Sequence, residues 1–245
     1  MSKNKNLTIQ ETFGLAVKNH QEGKIDIAQE LYNHVLKIDP SHSQSLGNIA
    51  VIFSNLKEHQ KAKECYEKII EINPNYVKAH YNLGVVFKEL GELEKAKECY
   101  EKTIEIDPNY ANAHYNLGNI FKELGELEKA KECYEKAIEI DPNYIDAHNN
   151  LGVAFKELKE NQKAKECFEK TIEIDPNYAD AHKNLGNLLK QKRLLSKIEQ
   201  AKKSEIKTSI GFFKKNHKKS YKSNLRLTSN PFISNRKVEA ELISQ

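Results

Sequence analysis

The chain has 245 residues, 30% of them charged, with a net charge of +4 and a mean hydropathy of −0.73. No apolar run approaches the roughly eighteen residues of a membrane-spanning helix, and the N-terminal MSKNKNLTIQET lacks the apolar core of a secretory signal. The charge is segregated: residues 1–182 carry 23 Lys/Arg and 31 Asp/Glu, and residues 183–226 carry 14 and 2. Such a split bears on partners and solubility rather than on fold.

In chain order, residues 1–8 read as a flexible N-terminus. Leu7, Phe13, Leu15 and Val17 have imperfect helical spacing. Gly23 suits a turn, and Ile25, Ala28, Leu31, Tyr32, Val35, Leu36 and Ile38 form a clear stripe of period 3.6. Residues 43–76 repeat that frame with Leu46, Ile49, Ala50 and Phe53, then Ala62, Tyr66, Ile69 and Ile72. Residues 77–110 and 111–144 are the same 34-residue unit twice, differing at five positions, and 145–178 follows as a fifth unit. Pro40, Pro74, Pro108, Pro142 and Pro176 close the units. Proline lacks an amide hydrogen and restricts the residue before it, so it ends the second helix of each unit. Asn75, Asn109, Asn143 and Asn177 are then expected to cap the next helix. Gly91 and Gly125 suit the left-handed turn between the two helices of a unit, where the fifth unit has Lys159.

A fixed period of this length marks a solenoid of helix pairs. The expected fold is all-α: an alpha-solenoid over 9–192, with units 9–42, 43–76, 77–110, 111–144 and 145–178 and a partial sixth at 179–192. Ile198 stands where earlier units have alanine, so the frame is lost there. Residues 193–207 read as a polar capping helix, since terminal repeats need a solvated face. Residues 208–245 read as a basic, mostly disordered tail, with Phe212, Phe213, Tyr221 and Phe232 as candidate anchors and VEAELISQ as a short helical end.

These residues resemble the tetratricopeptide repeat. The third unit matches its signature with His80, Leu83, Gly84, Phe87, Ala96, Tyr100, Thr103 and Pro108. The fourth has Gly118, Ala130 and Pro142 at the signature positions, and the fifth has Gly152, Ala164 and Pro176. The resemblance implies a right-handed superhelix of antiparallel helix pairs, with Gly84 facing Ala96 at their closest approach. It also implies that the first helices line a concave groove.

On those helices one column is asparagine: Asn48, Asn82, Asn116, Asn150 and Asn184. A side-chain amide both donates and accepts, so such a row suits the backbone of an extended peptide. The alternative is that the amides bridge adjacent helices. The column resembles the asparagine ladder of O-linked N-acetylglucosamine transferases, whose catalytic portion has no room here. Lys88, Lys122, Lys156 and Lys190 form a second column, read either as a solvated face or as a basic rim for acidic peptides. Some relatives of this family clamp a C-terminal carboxylate. Asn48 and Lys78 fit that pattern, while Phe13, Val17 and Asn82 do not.

Cys65, Cys99, Cys133 and Cys167 recur every 34 residues, as do His80, His114, His148 and His182. Neither column converges on one point as a disulfide or metal site requires, so both read as packing residues, and no metal or cofactor is expected. No catalytic constellation occurs. The sequence therefore predicts a non-catalytic, cytoplasmic scaffold or adaptor (with the nucleus left open) that binds a protein or extended peptide segment in its groove. The alternatives are a nucleic-acid or anionic-lipid adaptor acting through the basic C-terminal tail, and a regulatory subunit or fragment of a larger enzyme such as a glycosyltransferase.

Overall fold

The structure, a computed structural model, describes residues 7–227. The expectations for residues 1–6 and 228–245, Phe232 and VEAELISQ included, lie outside the described residues. The described chain holds eleven α-helices and no strand. They run α1 (Ile9–Gln21), α2 (Ile25–Ile38), α3 (Ser43–Asn55), α4 (His59–Ile72), α5 (Val77–Glu89), α6 (Leu93–Ile106), α7 (Ala111–Glu123), α8 (Leu127–Ile140), α9 (Ile145–Glu157), α10 (Asn161–Ile174) and α11 (Ala179–Leu227). Contacts divide the chain into two units, one through Leu188 and one from Leu189.

The first unit is a stack of helix pairs. Ala28, Ala62, Ala96, Ala130 and Ala164 are fully buried, and beside them lie Tyr32, Tyr66, Tyr100, Tyr134 and Phe168, at most 3% exposed. Each such ring contributes about 1.5–3 kcal/mol by leaving water. Most of the core is one continuous cluster from Leu46 to Leu188, with a smaller one around Ala16, Ala28, Tyr32, Ile49 and Ile52.

The crowding at the signature glycines comes chiefly from these rings, with the Ala130 carbonyl oxygen also 3.2 Å from a Cβ placed on Gly118. A Cβ on Gly84 would stand 2.7 Å from Cε1 of Tyr100, and one on Gly118 would stand 2.7 Å from Cε1 of Tyr134. At Gly152 the distance to Cε1 of Phe168 is 2.6 Å. The first two units carry the buried methyls of Ala16 and Ala50 at this position, so their rings leave room for a Cβ.

Two local expectations are corrected. The joint asparagines do not cap the next helix: the N-cap residues of α5, α7 and α9 are Tyr76, Tyr110 and Tyr144, without side-chain caps. Instead the residue before each proline turns the chain. Oδ1 of Asp107 accepts from the Asn109 N–H at 3.0 Å, and Asn73, Asp141 and Asp175 do the same for Asn75, Asn143 and Asn177. In α1 the buried face is Thr12 and Ala16, while Leu7 and Leu15 are exposed. Thr8 and Glu11 start that helix with a reciprocal capping box.

The turn inside each unit is left-handed throughout. Gly23, Gly91 and Gly125 have φ of 75°, 76° and 78°, and Lys57 and Lys159 take φ of 60° and 65° at the same place.

From Ala179 the helix continues to Leu227, beyond the predicted cap at 193–207 and into the segment read as a disordered tail. No proline intervenes between Pro176 and Pro231, and lysine, leucine, glutamate and alanine favour helix. Leu194, Leu195, Ile198 and Ile206 lie exposed along it, so this stretch is less polar in outline than its composition suggested.

Candidate functional site

The odd-numbered helices α3 to α9 and the start of α11 carry the asparagine column, and α1 has Gly14 at that register. Each amide whose hydrogen bonds are defined reaches back to the preceding unit. Nδ2 of Asn48 donates to the Tyr32 hydroxyl at 3.0 Å, Asn116 to the Tyr81 hydroxyl at 3.0 Å, and Asn150 to the Tyr115 hydroxyl at 3.1 Å. Nδ2 of Asn184 donates to Oδ1 of Asn149 at 3.3 Å. Burial pushes the Tyr66 hydroxyl up to about 12, a rise that neighbouring Ser54 and Asn82 moderate. The column thus bridges adjacent units through its amide nitrogens. All five asparagines are nevertheless only half-buried.

Their remaining capacity differs. Among the described residues nothing donates to the side-chain carbonyls of Asn48, Asn82, Asn116 and Asn184. Asn150 is committed more fully: its Nδ2 also meets Oδ1 of Asn119 at 3.0 Å, and its own carbonyl faces Nδ2 of Asn149 at 3.4 Å.

Asn119 was not foreseen from the sequence. It is 9% exposed and accepts from the Tyr134 hydroxyl at 2.8 Å. The signal was available, because a polar residue replaces Val85 at that register in an otherwise copied unit.

Lys88 stands 3.7 Å from Glu123 of the next unit. Lys78, Lys122, Lys156 and Lys190 form no ion pair among the described residues. Lys78 and Lys190 are exposed, Lys122 and Lys156 half-buried. Lys78, Asn48, Asn82 and Phe13 all line one cavity of about 330 Å3 between α1, α3 and α5, with Gly47, Gln44, Tyr66 and Tyr76 among its other walls.

The repeating histidines bolt the joints. Nε2 of His80, His114, His148 and His182 lies 2.8, 3.0, 2.9 and 2.8 Å from the carbonyl oxygens of Pro74, Pro108, Pro142 and Pro176. Each ring donates to an acceptor that the ended helix leaves open. The four cysteines are free and half-buried. Burial pushes the thiols of Cys99, Cys133 and Cys167 up to about 12, which suppresses the nucleophilic thiolate.

Family profiles described as Tetratricopeptide repeat match residues 43–76 and 145–178, and 65–98 and 167–203. A profile described as TPR repeat matches 86–125 and 118–159. The chain carries tetratricopeptide repeats. Repeats of this family mediate protein–protein interactions, and no catalytic family is matched. No curated protein is matched by the sequence. Among solved structures, MamA is 29% identical over 67% of this chain and 96% of its own, with a TM-score of 0.63. YrrB, a TPR protein described as having an unusual peptide-binding site, is 22% identical over 71% of this chain and 90% of its own, with a TM-score of 0.61. PilF of Pseudomonas aeruginosa is 20% identical over 76% and 91%, with a TM-score of 0.61. At the identities of YrrB and PilF the likeness concerns the fold. No helix among the described residues is long and apolar enough to cross a membrane.

Proposed function

We propose that the TPR stack is a non-catalytic scaffold holding an extended protein segment along its odd-numbered helices, with Asn48, Asn82 and Asn116 as the central contacts. The observation that carries this reading is the anchored amide row. The bonds of Asn48 and Asn116 to tyrosine hydroxyls hold the amides in place, and one N–H and the carbonyl stay available. An extended backbone presents the complementary carbonyls and N–H groups at intervals. The likeness of the row to the ladder of O-linked N-acetylglucosamine transferases supports the same reading, as does the peptide-binding site described for YrrB. Lys78, Lys122 and Lys156 would add attraction for acidic side chains, and Asn184 would extend the row.

The test uses a degenerate pool of labelled, end-blocked peptides and fluorescence polarisation. Asn82→Ala and Asn116→Ala should each weaken binding by about fivefold or more, with circular dichroism unchanged. Asn150→Ala serves as the control. Its amide is spent within the protein, so it should lower the melting temperature and change binding least. Wild-type binding by both Asn82→Ala and Asn116→Ala would remove the assignment.

A further inference from the structure

The register just before the asparagines holds a ring in three of the first four units and a hydrogen in the other. The residues are Phe13, Gly47, Tyr81 and Tyr115. Where a ring is present, it wedges between an aromatic of the second helix and one at the joint. Phe13 lies 5.9 Å from Tyr32 and 4.9 Å from His42, centroid to centroid. Tyr81 lies 5.9 Å from Tyr100 and 5.0 Å from Tyr110. Tyr115 lies 5.9 Å from Tyr134 and 4.9 Å from Tyr144. The second unit keeps both flanking rings, Tyr66 and Tyr76, and places Gly47 between them. A Cβ there would meet only Cδ1 of Ile69, at 3.8 Å. The result is the cavity of about 330 Å3, walled by Gly47, Tyr66, Tyr76 and Asn82.

We infer that this cavity is a slot for a tyrosine side chain of the bound segment, flanked in that segment by an acidic residue. The inference rests on the peptide-binding reading above and names the side chain that reading leaves open. The protein itself supplies the template. The hydroxyls of Tyr81 and Tyr115 accept from Asn116 and Asn150, and Asn82 occupies the corresponding place at the slot. A guest ring would therefore sit between two aromatics, with its hydroxyl accepting from Asn82. Lys78 precedes Asn82 by one helical turn and is the one charged side chain in the lining. It is exposed and forms no ion pair among the described residues, so it complements a carboxylate beside the guest tyrosine.

End-blocked degenerate peptide pools with the central residue fixed as Tyr, Phe or Ala, titrated against the full chain, test this. The Tyr pool should bind best, with the Phe pool about fivefold weaker and the Ala pool more than about tenfold weaker. A Glu next to the Tyr should strengthen binding and a Lys should weaken it, and Lys78→Glu should reverse that order. Gly47→Tyr should fill the slot, raise the melting temperature and erase the preference of Tyr over Ala, whereas Gly47→Ala should keep it. Asn82→Ala should erase the preference of Tyr over Phe and leave that of Phe over Ala. Pools that bind without a Tyr preference would overturn the slot and leave the peptide groove standing. A Tyr preference that survives Gly47→Tyr would also overturn the slot. If no pool binds, the groove reading falls and the slot falls with it.

Discussion

The third and fourth units differ at five positions, yet their buried polar chemistry is not the same. In the fourth, Asn119 receives the Tyr134 hydroxyl and one N–H of Asn150, joining α7, α8 and α9 through one side chain. In the third, Val85 stands at that register, and the Tyr100 hydroxyl is buried without a partner. Thr103 returns a hydroxyl to the carbonyl of Cys99 at 2.8 Å, where the fourth unit has Ala137. One shape therefore tolerates two polar arrangements. The aromatic and small-residue columns set the shape, and polar side chains inside it adjust stability unit by unit.

The largest expected effect tests what the two units share. Gly84→Leu and Gly118→Leu should each cost several kcal/mol, at or above the upper end of the usual range of about 1–3 for overpacking, because a Cβ already meets the tyrosine ring. Denaturant titration should give similar losses in both units, and a much smaller loss in one would separate them. Alkaline pH is a second shared stress. Tyr66, Cys99, Cys133 and Cys167 hold their protons more tightly folded than unfolded, with pKa values raised to about 12 from 10.0 for tyrosine and 9.0 for cysteine. Their contribution is complete below pH 9 and is lost as pH rises from there toward 12, so the melting temperature should fall across that window.

The difference between the units is probed by exchanging residues. Asn119→Val strands the Tyr134 hydroxyl and should cost about 1–3 kcal/mol, whereas Val85→Asn offers the Tyr100 hydroxyl an acceptor and should gain about 1. Thermal melts of the two variants should move in opposite directions, and movement in the same direction would dissolve the distinction. The smallest effect concerns the turn. Lys159→Gly should stabilise by up to about 1 kcal/mol by relieving a left-handed lysine, and Gly125→Lys should cost about as much.

The period, the prolines and the small-residue columns were legible because copying left them in register, and they set the helix pairs. Side-chain partners were less so. That Gly84 faces a ring depends on how Tyr100 turns across to α5, which spacing does not encode. The joint asparagines looked like caps by type, but Asp107 captures the Asn109 amide first and leaves Tyr110 at the helix start. The asparagine row was visible, yet its division into spare and committed members hinges on Asn119 and Asn149, side chains from other registers. Gly47 carries no signal by itself, because its meaning comes from Tyr66 and Tyr76, which correspond to the rings that flank Tyr81.

The histidine–proline bolt spans six residues, from Pro74 to His80, and recurs at every later joint. Copying any 34-residue block, wherever the cut falls, delivers one new proline and one new histidine at the right separation. The array can therefore gain or lose members by unequal recombination without inventing a connector, and its near-identical central pair has the form such an event leaves behind.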